Sequence, residues 1–194
     1  MQSEIIIVSG LPRSGTSLMM QMLASGGVEV VTDNVRAADV DNPRGYWEFE
    51  LAKKIRKDAS WLPGARGKAV KMVSQLLYDL PPSERYRIIF MERDLDEVLV
   101  SQEKMLKRLG RSAAPRVEMK RAYALHLGRL NSWLRQQPHM EVLHVCYNDL
   151  VENAERESQR VNEFLNGNLD VERMARAVDS SLYRNRNSPA GRRN

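Results

Sequence analysis

A glycine-bounded turn near the start of the chain constrains the fold more than any other stretch. Residues 10–17 read Gly-Leu-Pro-Arg-Ser-Gly-Thr-Ser; the β-branched run 5–8 precedes them, and strong helix formers follow over 18–24. This order of strand, turn and helix is the setting of a phosphate-binding loop, because free N–H groups at the helix start face an anion. Gly15 lets the backbone approach that anion without an intervening side chain. The sequence therefore predicts an anion site after the first strand.

The spacing of Gly10 and Gly15 is that of a P-loop, but the residues that follow are different. Thr16 and Ser17 stand where a nucleoside triphosphate site has lysine and then serine or threonine, so the lysine that reaches the β- and γ-phosphates is missing. The positive charge lies earlier, at Arg13. We expect a site for a phosphate-like group that departs from the ATP or GTP pattern. A tight strand–helix turn with chance glycines is the alternative.

Length, charge and cysteine content narrow the class of protein. The 194 residues suffice for one domain with a full core, expected over 1–186, and the basic residues 187–194 are predicted to form a disordered tail. The single Cys146 excludes an internal disulfide, and no Cys/His cluster predicts a metal. With no membrane-length apolar run and no signal peptide, we expect a cytoplasmic protein without a membrane span. The net charge of +5 suits an anionic ligand, but no aromatic-interleaved basic stripe predicts a nucleic-acid partner.

Strand and helix patterns alternate along the chain. Apolar runs predict five strands at about residues 4–9, 28–31, 68–73, 86–91 and 141–147. Helices are predicted at about residues 14–25, 46–57, 75–80, 95–109, 116–136, 151–165 and 171–178. This alternation favours an α/β fold, P-loop NTPase-like, with a parallel β-sheet of about five strands flanked by helices on both faces. Because ligands of such sheets bind beyond the carboxyl ends of the strands, we expect the first turn, Arg93 and Tyr147 to converge.

A second candidate anion grip follows the fourth strand. Arg93 ends that strand, and a capping box of Asp94 and Glu97 marks the start of the next helix. Ser101 lies about two turns along that helix, so a guanidinium and a hydroxyl on one face could hold a second phosphate. The alternative is a surface arginine beside a helix cap and a solvent-facing serine.

Together the two motifs resemble the sulfotransferase family. In that family the first loop binds the 5′-phosphosulfate end of 3′-phosphoadenosine 5′-phosphosulfate, and an Arg-x7-Ser pair binds the 3′-phosphate. Residues 11–17, Arg93 and Ser101 match these elements in order and spacing. The resemblance implies the sulfotransferase fold and this nucleotide as co-substrate.

Two later stretches extend the resemblance to residues 4–186. Tyr147-Asn-Asp-Leu is similar to the family's Y-E-D-L at a strand end, and residues 178–184 are similar to its C-terminal V-D-x-S-L-x-R. The donor contacts that the resemblance implies are Arg13, Ser14, Gly15, Thr16, Ser17, Arg93, Ser101, Tyr147 and Arg184.

The chemistry implied by the resemblance is in-line transfer of a sulfuryl group to an acceptor hydroxyl or amine, which leaves adenosine 3′,5′-bisphosphate. Lys71, on the third strand, resembles a transition-state lysine of the tyrosylprotein branch. Arg13 and Lys71 would then neutralise charge developing on the bridging oxygen, and no metal is required. The sequence does not decide whether the acceptor is a sugar, a lipid, a peptide or a small phenol, nor whether the chain associates with a second copy.

The general base is the least determined of the predicted catalytic residues. Many family members use a histidine, but the histidines of this chain all lie at residue 126 or later and are not expected to act. Other branches use a glutamate soon after the first loop, where this chain has Asp33 and Asn34. We predict Glu48 as the base, with Glu50 or Asp33 as alternatives. An ordinary glutamate in the first turn of a helix is the competing interpretation of Glu48.

The segment before that glutamate is also a candidate for the acceptor pocket. Residues 42–48, Asn-Pro-Arg-Gly-Tyr-Trp-Glu, resemble an N-P-x-G-Y-W-E element of bacterial sulfotransferase-like proteins. Arg44, Tyr46 and Trp47 are therefore predicted to line the pocket, with a core role for Trp47 as the alternative.

Two other functions stay open from the sequence. A P-loop kinase of a small metabolite would need a magnesium ligand, for which Glu92 or Asp94 is available, but it lacks the loop lysine. A non-catalytic member would bind the nucleotide without transferring a group.

Overall fold

The computed structural model describes residues 4–33, 35, 39 and 45–179. Its strands are β1 (Ile5–Gly10), β2 (Val30–Val31), β3 (Ala69–Val73), β4 (Tyr86–Glu92) and β5 (Met140–Cys146). They form one sheet in the order β2-β3-β1-β4-β5, and all four neighbouring pairs are parallel. The predicted five-stranded parallel sheet is confirmed.

Helices connect the strands. The α-helices of the described residues are α1 (Thr16–Ser25), α2 (Leu95–Arg108), α3 (Arg116–Leu134), α4 (Tyr147–Glu152), α5 (Ala154–Phe164) and α6 (Val171–Arg176). Three short 3-10 helices cover Ala52–Lys54, Leu62–Ala65 and Ser74–Asp79. In this part of the chain, no helix is both long enough and apolar enough to cross a bilayer.

Apolar side chains fill both sides of the sheet, since β1 and β4 are nearly continuous apolar runs. On one face Ile7 and Ile88 pack with Leu130 of α3. On the other face Val8 and Ile89 pack with residues of α1, α5 and α6. Each fully buried aliphatic side chain stabilises the fold by roughly 1.5–3 kcal/mol. Helices flank both faces, as predicted, and the ends of β1, β3 and β4 are thereby held side by side.

The segment predicted as a helix over 46–57 does not form an α-helix, and that prediction was wrong. Trp47 has φ of +53°, which lies outside the right-handed helical region. The carbonyl of Glu48 accepts hydrogen bonds from Thr32 Oγ1 at 3.0 Å and from the Asp33 amide at 3.2 Å. The Asp33 carboxylate accepts from the Glu50 amide at 2.6 Å. These bonds tie the segment to the chain that leaves β2, so only the 3-10 turn Ala52–Lys54 remains.

The helix predicted over 151–165 is divided in two, because Asn153, with φ of −134°, separates α4 from α5. Tyr147, predicted as the end of the fifth strand, is instead the first residue of α4. It still lies beyond the carboxyl end of β5, so this correction leaves it at the edge where the anion sites are expected.

The start of α2 is as predicted. The Asp94 carboxylate accepts hydrogen bonds from the amides of Asp96 and Glu97 at 3.0 and 3.1 Å. Such a cap contributes about 1 kcal/mol to helix stability and sets where the helix begins. The predicted tail at 187–194 lies outside the described residues and stays a prediction.

Candidate active site

The glycine-bounded turn joins β1 to α1 at the carboxyl edge of the sheet. The Ser14 amide donates to the Leu11 carbonyl at 3.2 Å, and Arg13 takes a left-handed φ of +73°. The first amides of any α-helix lack acceptors within that helix, and the helix dipole favours negative charge there, so the geometry is compatible with the predicted anion site.

Close packing explains why glycine stands at Gly15. Its φ is +101°, and a Cβ added there would lie 2.4 Å from Cδ2 of the Tyr147 ring. The loop therefore rests directly on the first residue of α4. A side chain at this position would push the loop away from the ring and strain the backbone.

Arg13, Arg93 and Ser101 meet beside this loop. Arg13 Nε donates to Ser101 Oγ at 3.0 Å, and Arg93 Nη1 donates to the Arg13 carbonyl at 3.2 Å. Ser101 is only 4% exposed, so it does not face solvent as the alternative interpretation of the sequence required. The structure thus brings the two predicted anion grips to the same edge of the sheet.

Glu97 is a member of this cluster that the sequence reasoning missed. Its Oε2 lies 3.0 Å from Arg93 Nε, and the two side chains are 2% and 7% exposed. The Arg93 guanidinium also lies 4.4 Å from the centroid of the Tyr147 ring. The predicted capping box places Glu97 at the helix cap, whereas its four-residue spacing from Arg93 is the sequence signal for this ion pair.

Positive charge accumulates around the loop. Burial lowers the pKa of Arg13, and the charges of Arg93 and Arg108 lower it further, while Tyr46 and Asp39 act in the opposite direction. Cations held this close together repel one another, and an anionic group bound between them would relieve that repulsion.

Tyr147 stays a neutral phenol at physiological pH. Burial raises the pKa of its hydroxyl, although the nearby Arg93 charge opposes this shift. Its ring is therefore an uncharged surface that supports both the Arg93 guanidinium and Gly15.

Lys71 reaches the other end of the loop from β3. Its Nζ lies 3.1 Å from Ser17 Oγ, at the first turn of α1, and it donates to the Tyr46 carbonyl. The same Nζ lies 3.9 Å from Glu48 Oε1. The side chain is 11% exposed, which strengthens its electrostatic interactions relative to those at the surface. The structure therefore places the predicted lysine and the predicted base next to each other.

Of the three candidate carboxylates, Glu48 lies nearest to this lysine in the contacts that the structure shows. Its Oε2 is also 2.8 Å from Lys53 Nζ. Burial alone would lower the pKa of Lys53, but hydrogen bonds with Glu48 and Glu50 outweigh it and raise that pKa. The backbone amides of Glu50 and Val35 lower the pKa of Asp33, whose carboxylate thus holds the backbone.

The predicted acceptor residues are only partly described. The Tyr46 hydroxyl donates to the Asp39 carboxylate at 2.8 Å, and Tyr46 is buried. Trp47 packs into the core beside α1, which favours the core role left open for it. Arg44, Asn34 and the predicted donor residue Arg184 lie outside the described residues.

Two of the histidines, and the two carboxylates considered as magnesium ligands of a kinase, Glu92 and Asp94, have other contacts. His126 Nε2 lies 2.9 Å from Ser74 Oγ, and burial lowers its pKa. His144 Nδ1 lies 2.8 Å from Glu92, and Asp94 caps α2. Among the described residues, no three His, Cys, Asp or Glu side chains are grouped so that they could hold a metal ion.

Comparison with known families gives one match over almost the whole chain. The profile of the sulfotransferase domain family matches residues 3–190. A search of curated protein sequences gives no match.

Solved structures with the same fold include two sulfotransferase domains. The domain from the curacin biosynthetic pathway is 16% identical, with a TM-score of 0.55, and the alignment covers 93% of this chain and 89% of that one. The domain from the Synechococcus PCC 7002 olefin synthase is 14% identical, with a TM-score of 0.59, and the alignment covers 98% of this chain and 91% of that one. At these identities the likeness concerns the fold, which is the one predicted.

Proposed function

This chain belongs to the sulfotransferase domain family and is an enzyme, and from that premise we propose that it transfers a sulfuryl group from 3′-phosphoadenosine 5′-phosphosulfate to an acceptor hydroxyl or amine. The proposal extends to one sulfotransferase domain over residues 1–186.

One observation carries the proposal. Lys71 Nζ lies 3.1 Å from Ser17 Oγ in the anion loop and 3.9 Å from Glu48 Oε1. The predicted anion loop, a cation and a carboxylate thus lie at one place, on three separate segments of the chain. Sulfuryl transfer needs all three: a hold on the leaving phosphate, a charge at the bridging oxygen and a base for the acceptor.

The donor would lie along the loop and α2. Backbone amides of residues 14–17 would hold its 5′-phosphate, supported by the dipole of α1. By the family resemblance, Arg93 and Ser101 would serve its 3′-phosphate; both contact Arg13, so the two phosphate sites would adjoin. Tyr147 would contribute its ring, and Arg184 would add a charge from beyond the described residues.

Proton and charge movements follow from the same contacts. The acceptor oxygen or nitrogen forms a bond to sulfur as the bond from sulfur to the 5′-phosphate oxygen breaks, and the electron pair stays on that oxygen. Lys71 and Arg13 would stabilise this charge as it develops. Glu48 would take the acceptor's proton, and the half-exposed Lys53 would move aside for the acceptor.

Nucleotide titration tests the proposal against the kinase alternative. We expect adenosine 3′,5′-bisphosphate to bind with the same affinity in excess EDTA and in excess magnesium. The bisphosphate should also bind more tightly than Mg-ATP, because the loop lacks the lysine of a triphosphate site. Binding of Mg-ATP alone, or bisphosphate binding that requires magnesium, would contradict the proposed donor.

A further inference from the structure

We propose that Glu97 is a positioning residue of the donor site, which acts through Arg93 to hold the Arg13 turn of the anion loop in place. The inference rests on the donor proposed above. Arg93 would then have two roles: contact with the 3′-phosphate and support of the loop that holds the 5′-phosphate.

Glu97 and Arg93 form a buried ion pair. Glu97 and Arg93 are 2% and 7% exposed, and Glu97 Oε2 lies 3.0 Å from Arg93 Nε. Removing two charges from water is costly, so a pair of this kind is weak evidence for stability. Its geometry is well defined, however, because a guanidinium hydrogen-bonded to a carboxylate has one favoured plane and direction.

Two contacts fix the direction of the Arg93 guanidinium. Glu97 holds Nε, and the Tyr147 ring lies 4.4 Å from the guanidinium carbon. Nη1 is thereby aimed at the Arg13 carbonyl, to which it donates at 3.2 Å. A carboxylate placed one methylene away would turn Nη1 off this carbonyl.

The loop needs this support at Arg13. Arg13 takes φ of +73°, a conformation that side-chain-bearing residues keep only when their surroundings impose it. Its carbonyl is held by Arg93, and its Nε donates to Ser101 Oγ at 3.0 Å. Glu97 and Ser101 are four residues apart on α2 and so share one face of the helix. Helix α2 therefore holds both the backbone and the side chain of Arg13.

Two adenosine nucleotides distinguish this support from direct contact with the second phosphate. Adenosine 3′,5′-bisphosphate has both phosphates, whereas adenosine 5′-monophosphate has only the one that the loop would hold. If Glu97 acts by fixing the loop, its loss weakens binding of the monophosphate as well as the bisphosphate. If Arg93 acts only on the 3′-phosphate, the loss falls on the bisphosphate alone.

The variant Glu97→Asp tests the inference, because it keeps the charge and shortens the reach. We expect titration calorimetry to show the dissociation constant of the monophosphate rising about tenfold, on the scale of a lost charge-assisted hydrogen bond, and that of the bisphosphate rising at least as much. Glu103→Asp is the matched control: Glu103 also lies on α2 and pairs with Arg116, but at the surface. It should leave both constants unchanged.

Two results would overturn the inference. An unchanged constant for the monophosphate, with only the bisphosphate weakened, would make Arg93 a ligand of the second phosphate alone. Unchanged constants with a lower melting temperature would make Glu97 a structural counter-ion. If Glu97→Asp does not fold, Glu97→Gln, which keeps the length and an acceptor oxygen, is measured in the same way. It should also weaken both nucleotides, the monophosphate by less than about tenfold.

A readout without nucleotide separates this inference from the proposed function. The Ser14 amide, bonded to the Leu11 carbonyl at 3.2 Å, reports on the loop through its rate of hydrogen exchange. Glu97→Asp should speed its exchange and Glu103→Asp should not; equal rates in all three proteins would contradict the inference. If the wild type binds neither nucleotide, the proposed donor fails, and this exchange measurement still decides the role of Glu97.

Discussion

Replacing Lys71 with alanine removes an ammonium group that lies 3.1 Å from Ser17 Oγ and also contacts the Tyr46 carbonyl. In the proposed reaction this group faces the oxygen on which charge develops. One donor aimed at such a charge contributes about 3–4 kcal/mol to transition-state stabilisation. Since each 1.36 kcal/mol is tenfold in rate, we expect kcat to fall roughly 10²- to 10³-fold.

Donor binding should suffer much less from the same change. In the free protein Lys71 already interacts with Ser17, the Tyr46 carbonyl and Glu48, so the bound ground state gains little from it. The affinity for adenosine 3′,5′-bisphosphate should therefore fall by about 1 kcal/mol or less, the net value of one hydrogen bond. The split between kcat and affinity identifies a role in the transition state.

The assay compares initial rates at saturating donor with calorimetric dissociation constants for the bisphosphate. Lys68→Ala is the control, since Lys68 immediately precedes β3 and pairs with Glu29 at 2.5 Å. Its kcat should match the wild type. Equal losses of rate and affinity in Lys71→Ala would show that Lys71 only binds the donor, and an unchanged kcat would refute the reasoning altogether.

Three further changes are predicted in sign and scale. Glu48→Gln should lower kcat by about 10²-fold with bisphosphate affinity unchanged. Glu50, whose side chain is 42% exposed, is the control: Glu50→Gln should leave kcat near the wild-type value. The reverse order of effects would make Glu50 the base. Gly15→Ala, whose methyl would meet Tyr147 and whose φ is +101°, should lower the free energy of unfolding by at least about 1–2 kcal/mol and weaken bisphosphate binding. Gly128→Ala is the control, because an added Cβ there meets nothing within 4 Å beyond the backbone of its own helix; it should raise the free energy of unfolding by about 0.5–1 kcal/mol. Calorimetry measures the binding and thermal unfolding the stability. The Arg66 guanidinium holds the pKa of Glu84 below its ordinary value. This pair therefore stabilises the fold above about pH 4.3, and its contribution is lost as the pH falls through the lowered pKa. Arg66→Gln should flatten the acid side of a profile of melting temperature between about pH 3 and 6, and an unchanged slope would contradict the assignment.

Local patterns in the sequence account for the architecture and for where the site lies. The apolar runs that became β1, β3 and β4 alternate with helical patterns, and such an alternation permits few folds besides a parallel sheet. Since the carboxyl ends of parallel strands meet at one edge, Arg13 and Arg93 could be placed near each other before their contact through the Arg13 carbonyl was known.

Contacts between distant residues account for what the sequence did not predict. The 46–57 segment has the composition of a helix, but hydrogen bonds with Thr32 and Asp33 hold it in another conformation. Glu97 fits a capping box in sequence, and only the packing of α2 against the loop shows that its carboxylate is buried beside Arg93. The fit of Gly15 to the Tyr147 ring likewise depends on how α4 follows β5.

Stoichiometric transfer is the measurement that tests the proposed function most directly. The protein is incubated with 35S-labelled 3′-phosphoadenosine 5′-phosphosulfate and a panel of sugar, lipid, peptide and phenol acceptors, and both labelled acceptor and released bisphosphate are counted. We predict that at least one acceptor becomes labelled, with one bisphosphate released per group transferred, and that Lys71→Ala abolishes most of both signals. Tight binding of the bisphosphate, with no acceptor labelled above the protein-free blank, would contradict the proposed transferase activity.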